Sequence, residues 1–361
     1  MIAKILLAGL GSFVMSWMMT LLIRRIAPRI GFVDQPGGRK IHVDFKPLGG
    51  GIAVFLAIAL PMLGVLIAPH LGLVPAGMEA YAGGIIKQTP LTLAILGCML
   101  GLHIVGLVDD RKAMGPYTKL VVQLAAASVL VVFFNLRAVT FLGPAPSCIV
   151  TILWITGITN AFNFLDNMDG LSAGVAAVCA AAFLVTTLLI GQWFVAGMLA
   201  MLLGALLGFL YFNFPPASIF MGDSGSLVVG FTLGVLTTLT TYLDTGKHSG
   251  GWYALLTPLI ILAVPLYDLV VVSIIRISHG KSPFVGDTNH FSHRLVGRGM
   301  SRRTAVLCIY LVTAATAVAA IILPRLDALG AVLVYVQTLL ILGVVMLLEL
   351  HPLPAANNNP D

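Results

Sequence analysis

Charge is what this chain lacks. Only 9% of its 361 residues are Asp, Glu, Lys or Arg, and the acids number fourteen. Hydrophobic residues make up 59% and the mean hydropathy is +1.02, which excludes a soluble enzyme, since no soluble core uses that much apolar sequence. Cysteine is scarce too. Cys98, Cys148, Cys179 and Cys308 lie in separate apolar stretches without C-x-x-C spacing, so they read as buried, inert thiols and not as a zinc ribbon or redox pair. The net charge of +6 is no nucleic-acid footprint, because the cations flank apolar runs.

What is present is a series of those runs. A helix needs roughly 20 apolar residues to cross the bilayer core. On that measure about eleven spans are expected, centred near residues 14, 58, 98, 127, 153, 181, 202, 235, 265, 312 and 339. The first, Ile5–Ile23, has Lys4 before it and Arg24, Arg25 and Arg29 after it. That reverses a signal peptide's charge order, so a retained span is expected. The predicted fold is an all-α polytopic integral membrane protein, with one transmembrane domain over residues 1–350 and a disordered tail over 351–361.

Lys and Arg bias loops toward the cytoplasm. With the amino terminus outside, fifteen of them fall on inner loops and five (Lys4, Lys87, Arg137, Lys247, Arg325) stay outside. The same assignment puts four polar breaks, at 109–119, 160–174, 213–226 and 278–303, and the carboxyl terminus on the cytoplasmic face of the cell membrane. Carboxylates beside hydrocarbon are costly and mark function by default.

The first break carries Asp109 and Asp110, then Lys119 at the foot of the next span. Neighbours on a helix point about 100° apart, so one acid is expected to face substrate while the other orients a partner. The bland reading, a solvated helix end, sets acids against the helix dipole. In the second break Asn160, Asn163, Asp166 and Asp169 recur every three residues, and helical geometry would line them along one wall. The third, Phe220-Met-Gly222-Asp223-Ser224-Gly225-Ser226, has small residues whose N–H groups open the next span toward an anion. Its Gly-Asp-Ser-Gly string resembles serine proteases, a reading excluded by its place between membrane helices. The fourth holds His290, His293 and Arg294. Zinc would need a third nearby ligand, so donation to phosphate or sugar is the better reading. Asp268 lies inside the span near 265 and stays out of the site, pairing with a neighbouring helix being as good an account of it as catalysis.

Together the four breaks resemble the polyprenyl-phosphate N-acetylhexosamine-1-phosphate transferases, glycosyltransferase family 4. The match runs from Arg39-Lys40-Ile-His42 and Pro47-Leu-Gly-Gly-Gly to His293-Arg294. The resemblance implies transfer of a sugar-1-phosphate from a UDP-N-acetylhexosamine to a polyprenyl phosphate, with release of UMP. It implies Mg2+ as cofactor, with Mn2+ as a substitute, held by Asn163 and Asp223. Asp109 and Asp110 match the catalytic pair, with Asp166 beside them, and Lys119 would contact the diphosphate. Phe220 matches the aromatic that stacks on uracil and Asp169 the acid near the uridine, while His290, His293 and Arg294 would face diphosphate and sugar. Expected partners are the nucleotide sugar, the lipid phosphate, the bilayer and a second copy of the chain.

Two positions depart from the family pattern. Ser292 stands where a histidine is usual, and Asn167 where the first glycine of Asp-Gly-x-Asp-Gly is usual. The short histidine motif argues against the phospho-N-acetylmuramoyl-pentapeptide branch. An ion-coupled transporter would place its acids at midplane in paired repeats. A CDP-alcohol phosphotransferase would show Asp-Gly-x-x-Ala-Arg, but the chain reads Asp169-Gly-Leu-Ser-Ala-Gly174.

Overall fold

The first helix is inverted relative to a soluble one. α1 (Ile2–Ile26) buries Ser12, Ser16 and Thr20 and exposes Leu6, Leu7 and Leu10. Lipid tails are as apolar as leucine, so membrane helices associate through small and hydroxylated residues. Here Ser16 Oγ donates to the Ala205 carbonyl at 2.6 Å. The computed structural model describes residues 1–34, 46–74, 77, 79–242, 251–282 and 290–350. Arg39, Lys40, His42, Lys247, Gly286–Asn289 and the expected tail from His351 lie outside them.

A two-residue antiparallel ladder follows α1, with β1 (Val33–Asp34) against β2 (Lys46–Pro47). The helices then run α2 (Gly50–His70), α3 (Glu79–Arg111), α4 (Pro116–Ser128), α5 (Pro144–Leu165), α6 (Leu171–Leu189), α7 (Trp193–Asn213) and α8 (Asp223–Leu239). After these come α9 (Thr257–Ile261), α10 (Ala263–Ser278), α11 (Phe291–Gly297), α12 (Arg302–Ile322) and α13 (Ala328–Leu350). α8 is the central post. Every residue from Ser224 to Thr237 is buried, with α2, α3, α5 and α6 packed around it.

All eleven expected centres fall within helical segments, yet the span count differs. Among the described residues nine helices are long and apolar enough to cross a membrane, or ten with a bent pair taken as one. The pair is Trp252–Ile261 with Ala263–Ser278, bent by 69°; Pro265 has no N–H to offer the Ile261 carbonyl, so the helix cannot run on. The other shortfall is α8, at 17 residues. Its amino end is cut back by the extended stretch through Phe220 and Met221, whose carbonyls accept from Gly50 and Gly51 N–H at 2.9 Å each.

Candidate active site

The site is built on the amino end of α8. Gly222, at φ +73°, takes a left-handed turn that favours glycine. α3 approaches because Gly106 lies directly on the Ser224 backbone, where a side chain would not fit. This contact delivers Asp110: one carboxylate oxygen accepts the Asp223 N–H at 2.7 Å and the other the Ser224 N–H at 3.2 Å. A carboxylate on the first N–H groups of a helix meets its positive end. Asp110 therefore fixes the head of α8, the partner-orienting half of what is expected of the adjacent acids.

Asp109 turns the other way. It accepts the Met114 N–H at 2.6 Å and Lys119 Nζ at 3.2 Å. Lys119 also reaches Asp223 Oδ2 at 2.5 Å, so one ammonium bridges carboxylates from α3 and α8. On the far side Asn163 Nδ2 donates to Asp223 Oδ1 and to Ser226 Oγ, both at 2.9 Å. Asp166 closes the cluster with its carboxyl beside the Gly222 N–H. Loss of water, then the nearby Asp223 and Asp110 charges, push its pKa well above the ordinary carboxylate range. Among the described residues no three His, Cys, Asp or Glu converge as a ready-made metal cage.

The single polar wall expected from Asn160 to Asp169 does not form. α5 stops at Leu165, and Asp166, at ψ 37°, has already left the helix. Asn160 instead donates to Gln123 on α4 at 2.6 Å. Asp169, 9% exposed, accepts the Ala217 N–H at 2.9 Å and lies 3.8 Å from Lys46 Nζ. Lys46 also sits over the Phe220 ring, 5.4 Å from its centroid. Asp169, Lys46 and Phe220 thus make a second corner beside the acids. Lys46 was counted only as a loop cation in the sequence; its place just before Pro47-Leu-Gly-Gly-Gly was the available signal.

The histidines differ from each other. His290 is buried, its Nδ1 2.9 Å from Asp268 Oδ2 and its Nε2 3.3 Å from Arg276 Nη2. Arg276 itself is buried, with its guanidinium over the Phe164 ring. With both ring nitrogens engaged inside the protein, His290 is a structural joint here and not the open donor expected. Asp268 is the missed member of this joint: it pairs with a neighbouring segment, one of the two roles left open for it. Arg294 pairs with Glu349 on α13 at 2.8 Å. His293 is only part-buried, and its ring lies beside the Asn167 backbone carbonyl. Burial first, then His290 and Arg302, lower its pKa. The two family departures meet: Ser292 Oγ donates to Asn167 Oδ1 at 2.6 Å.

Comparison with known proteins places the chain in a family. The family model for glycosyl transferase family 4 matches residues 92–241, the stretch that supplies Asp109 through Asp223. A probable undecaprenyl-phosphate N-acetylglucosaminyl 1-phosphate transferase of Bacillus subtilis is 33% identical over 328 residues, covering 89% of this chain and 85% of the relative. A decaprenyl-phosphate N-acetylglucosaminephosphotransferase of Mycobacterium tuberculosis (strain H37Rv) is 32% identical, with 85% and 80% covered. An undecaprenyl-phosphate alpha-N-acetylglucosaminyl 1-phosphate transferase of Escherichia coli (strain K12) is 29% identical, with 84% and 79% covered. Acids converging on the head of one short buried helix, and relatives alike over most of their length, lead to one conclusion: the chain belongs to glycosyl transferase family 4.

Proposed function

We propose that the protein transfers N-acetylglucosamine-1-phosphate from UDP-N-acetylglucosamine to a polyprenyl phosphate, releasing UMP, as the first membrane step of a cell-envelope polysaccharide. The observation that carries this reading is the convergence of Asp109, Lys119, Asn163 and Asp223 from three separate polar breaks, within hydrogen-bonding distance of one another. The bond broken lies within the diphosphate, so the sugar keeps its anomeric configuration. A phosphate monoester has a second pKa near 6, and the lipid phosphate is largely dianionic at neutral pH without a strong base.

The donor set fits Mg2+, which favours one or two carboxylates, substrate phosphates and retained waters over an all-protein cage. Two carboxylates, Asp109 and Asp223, share one lysine, and the Lys119 ammonium between them marks a space that accepts positive charge. Asp223 and Asn163 would hold the ion, which when bound neutralises diphosphate charge. The chain's own groups do the rest by position and electrostatics. Asp110 holds the head of α8 so that Asp223 keeps its place. Asp109 orients the acceptor phosphate and takes any residual proton from it. Lys119 holds the diphosphate, while Phe220, Lys46 and Asp169 form the nucleoside corner and His293 faces the sugar end. The cytoplasmic placement rests on the Lys and Arg bias, and pairing with a second copy on the family resemblance.

Purified protein with undecaprenyl phosphate, Mg2+ and a panel of UDP-sugars tests the reading. UMP release is expected with UDP-N-acetylglucosamine; release with none of the panel would refute it.

A further inference from the structure

Asn167 does more than replace a glycine. Among the described residues only Asn135 and Val139 combine a side chain with positive φ, so the backbone at 167 does not require glycine and the amide is there to be used. Its Nδ2 donates to the Phe164 carbonyl at 2.6 Å, at the end of α5. A carbonyl only accepts, which fixes the amide's orientation and turns Oδ1 toward Ser292 Oγ at 2.6 Å. Ser292 is buried at 1% exposure, where a hydroxyl needs a partner. The next residue, His293, has its ring beside the Asn167 backbone carbonyl. One residue of the aspartate turn therefore holds Ser292 of α11 from 125 positions away and lies beside the next residue, His293, and Asp166 and Asp169 flank it on either side.

We propose that Asn167 and Ser292 are a positioning pair for the transfer reaction, clamping α11 to the aspartate turn so that His293 stands against the sugar-diphosphate end of the donor. The amino end of α11 is already fixed to α10, since Asp268 accepts the Phe291 N–H at 2.7 Å. The Asn167–Ser292 bond is the fastening on the substrate side. The inference rests on the transferase reading and adds to it a pair whose effect passes through His293.

Ser292→Ala, Asn167→Gly and His293→Ala, singly and in pairs, are to be assayed as full-length protein by UMP release from UDP-N-acetylglucosamine. Ser292→Ala is expected to lower kcat about tenfold while leaving the nucleotide KM within about twofold. In the His293→Ala background the same change is expected to cost less than about twofold, and Asn167→Gly with Ser292→Ala is no worse than the poorer single variant. Should Ser292→Ala fail to purify as a folded species, Asn167→Gly carries the same cycle with His293, since it removes the amide and keeps the carbonyl. Wild-type kcat in Ser292→Ala, or equal losses with and without His293, overturns the pair alone. A wild-type protein that releases no UMP from any UDP-sugar overturns the transferase reading and the pair with it.

Discussion

Two regions of this molecule use one device for different ends. At the head of α8, Asp110 from α3 accepts the N–H groups of Asp223 and Ser224. At the head of α11, Asp268 from α10 accepts the N–H of Phe291 and the ring of His290. Both are carboxylates from one helix closing the amino end of another. They differ in what surrounds them. Around Asp268 everything is sealed: it is 0% exposed, His290 4% and Arg276 1%. Around Asp110 the neighbours Asp109, Lys119 and Asp223 keep 14–22% of their side chains open. A sealed cap holds two helices together, whereas a cap beside half-open acids holds a reactive surface.

The largest effect that could break this contrast lies at α8. Asp223→Ala is expected to reduce UMP release below about a thousandth of wild type, and Lys119→Ala to reduce it about a hundredfold, with both proteins still folded. Considerable activity in Asp223→Ala would make the α8 head another structural joint.

Asp268→Ala should fail in the opposite way. Removing one partner of a buried charged cluster costs about 3 kcal/mol or more, read as a lower thermal midpoint in detergent. The surviving folded fraction is expected to keep its nucleotide KM within about threefold. An unchanged midpoint with a greatly raised KM would move Asp268 into the substrate site.

A smaller effect concerns protons. Asp166 has a raised folded-state pKa, so its contribution to the metal-free protein's stability is present at low pH and is lost as pH rises and it ionises. A cation in the cluster favours the ionised form. Titrating Mg2+ into the protein at a pH above the ordinary carboxylate range is therefore expected to release protons, seen as heats that vary with buffer ionisation enthalpy. Asp166→Asn should reduce that variation, leaving the share due to Asp110.

Much of this was readable in the chain, for a physical reason. Carboxylates are so rare and costly in an apolar sequence that Asp109, Asp110, Asp166 and Asp223 announce themselves, and each expected span centre falls on a helix. What failed depended on where helices stop and on contacts between distant segments. Period-three spacing suggested one wall from Asn160 to Asp169, but α5 ends at Leu165 and the turn scatters those side chains. Arg276 follows an apolar run and so falls among the fifteen inner-loop cations by sequence, yet it is buried over Phe164. His290 looked like an open donor because nothing near it in sequence could show that Asp268 and Arg276 would occupy both ring nitrogens. Asn167 and Ser292 each read as a separate oddity, and only the folded chain joins them.

The most direct test of the contrast uses Mn2+ in place of Mg2+, followed by electron paramagnetic resonance on protein in nanodiscs with UDP present. The account predicts a bound Mn2+ signal of about one ion per chain, lost in Asp223→Ala and kept in folded Asp268→Ala. A signal that survives Asp223→Ala, or one that disappears with Asp268, would contradict it.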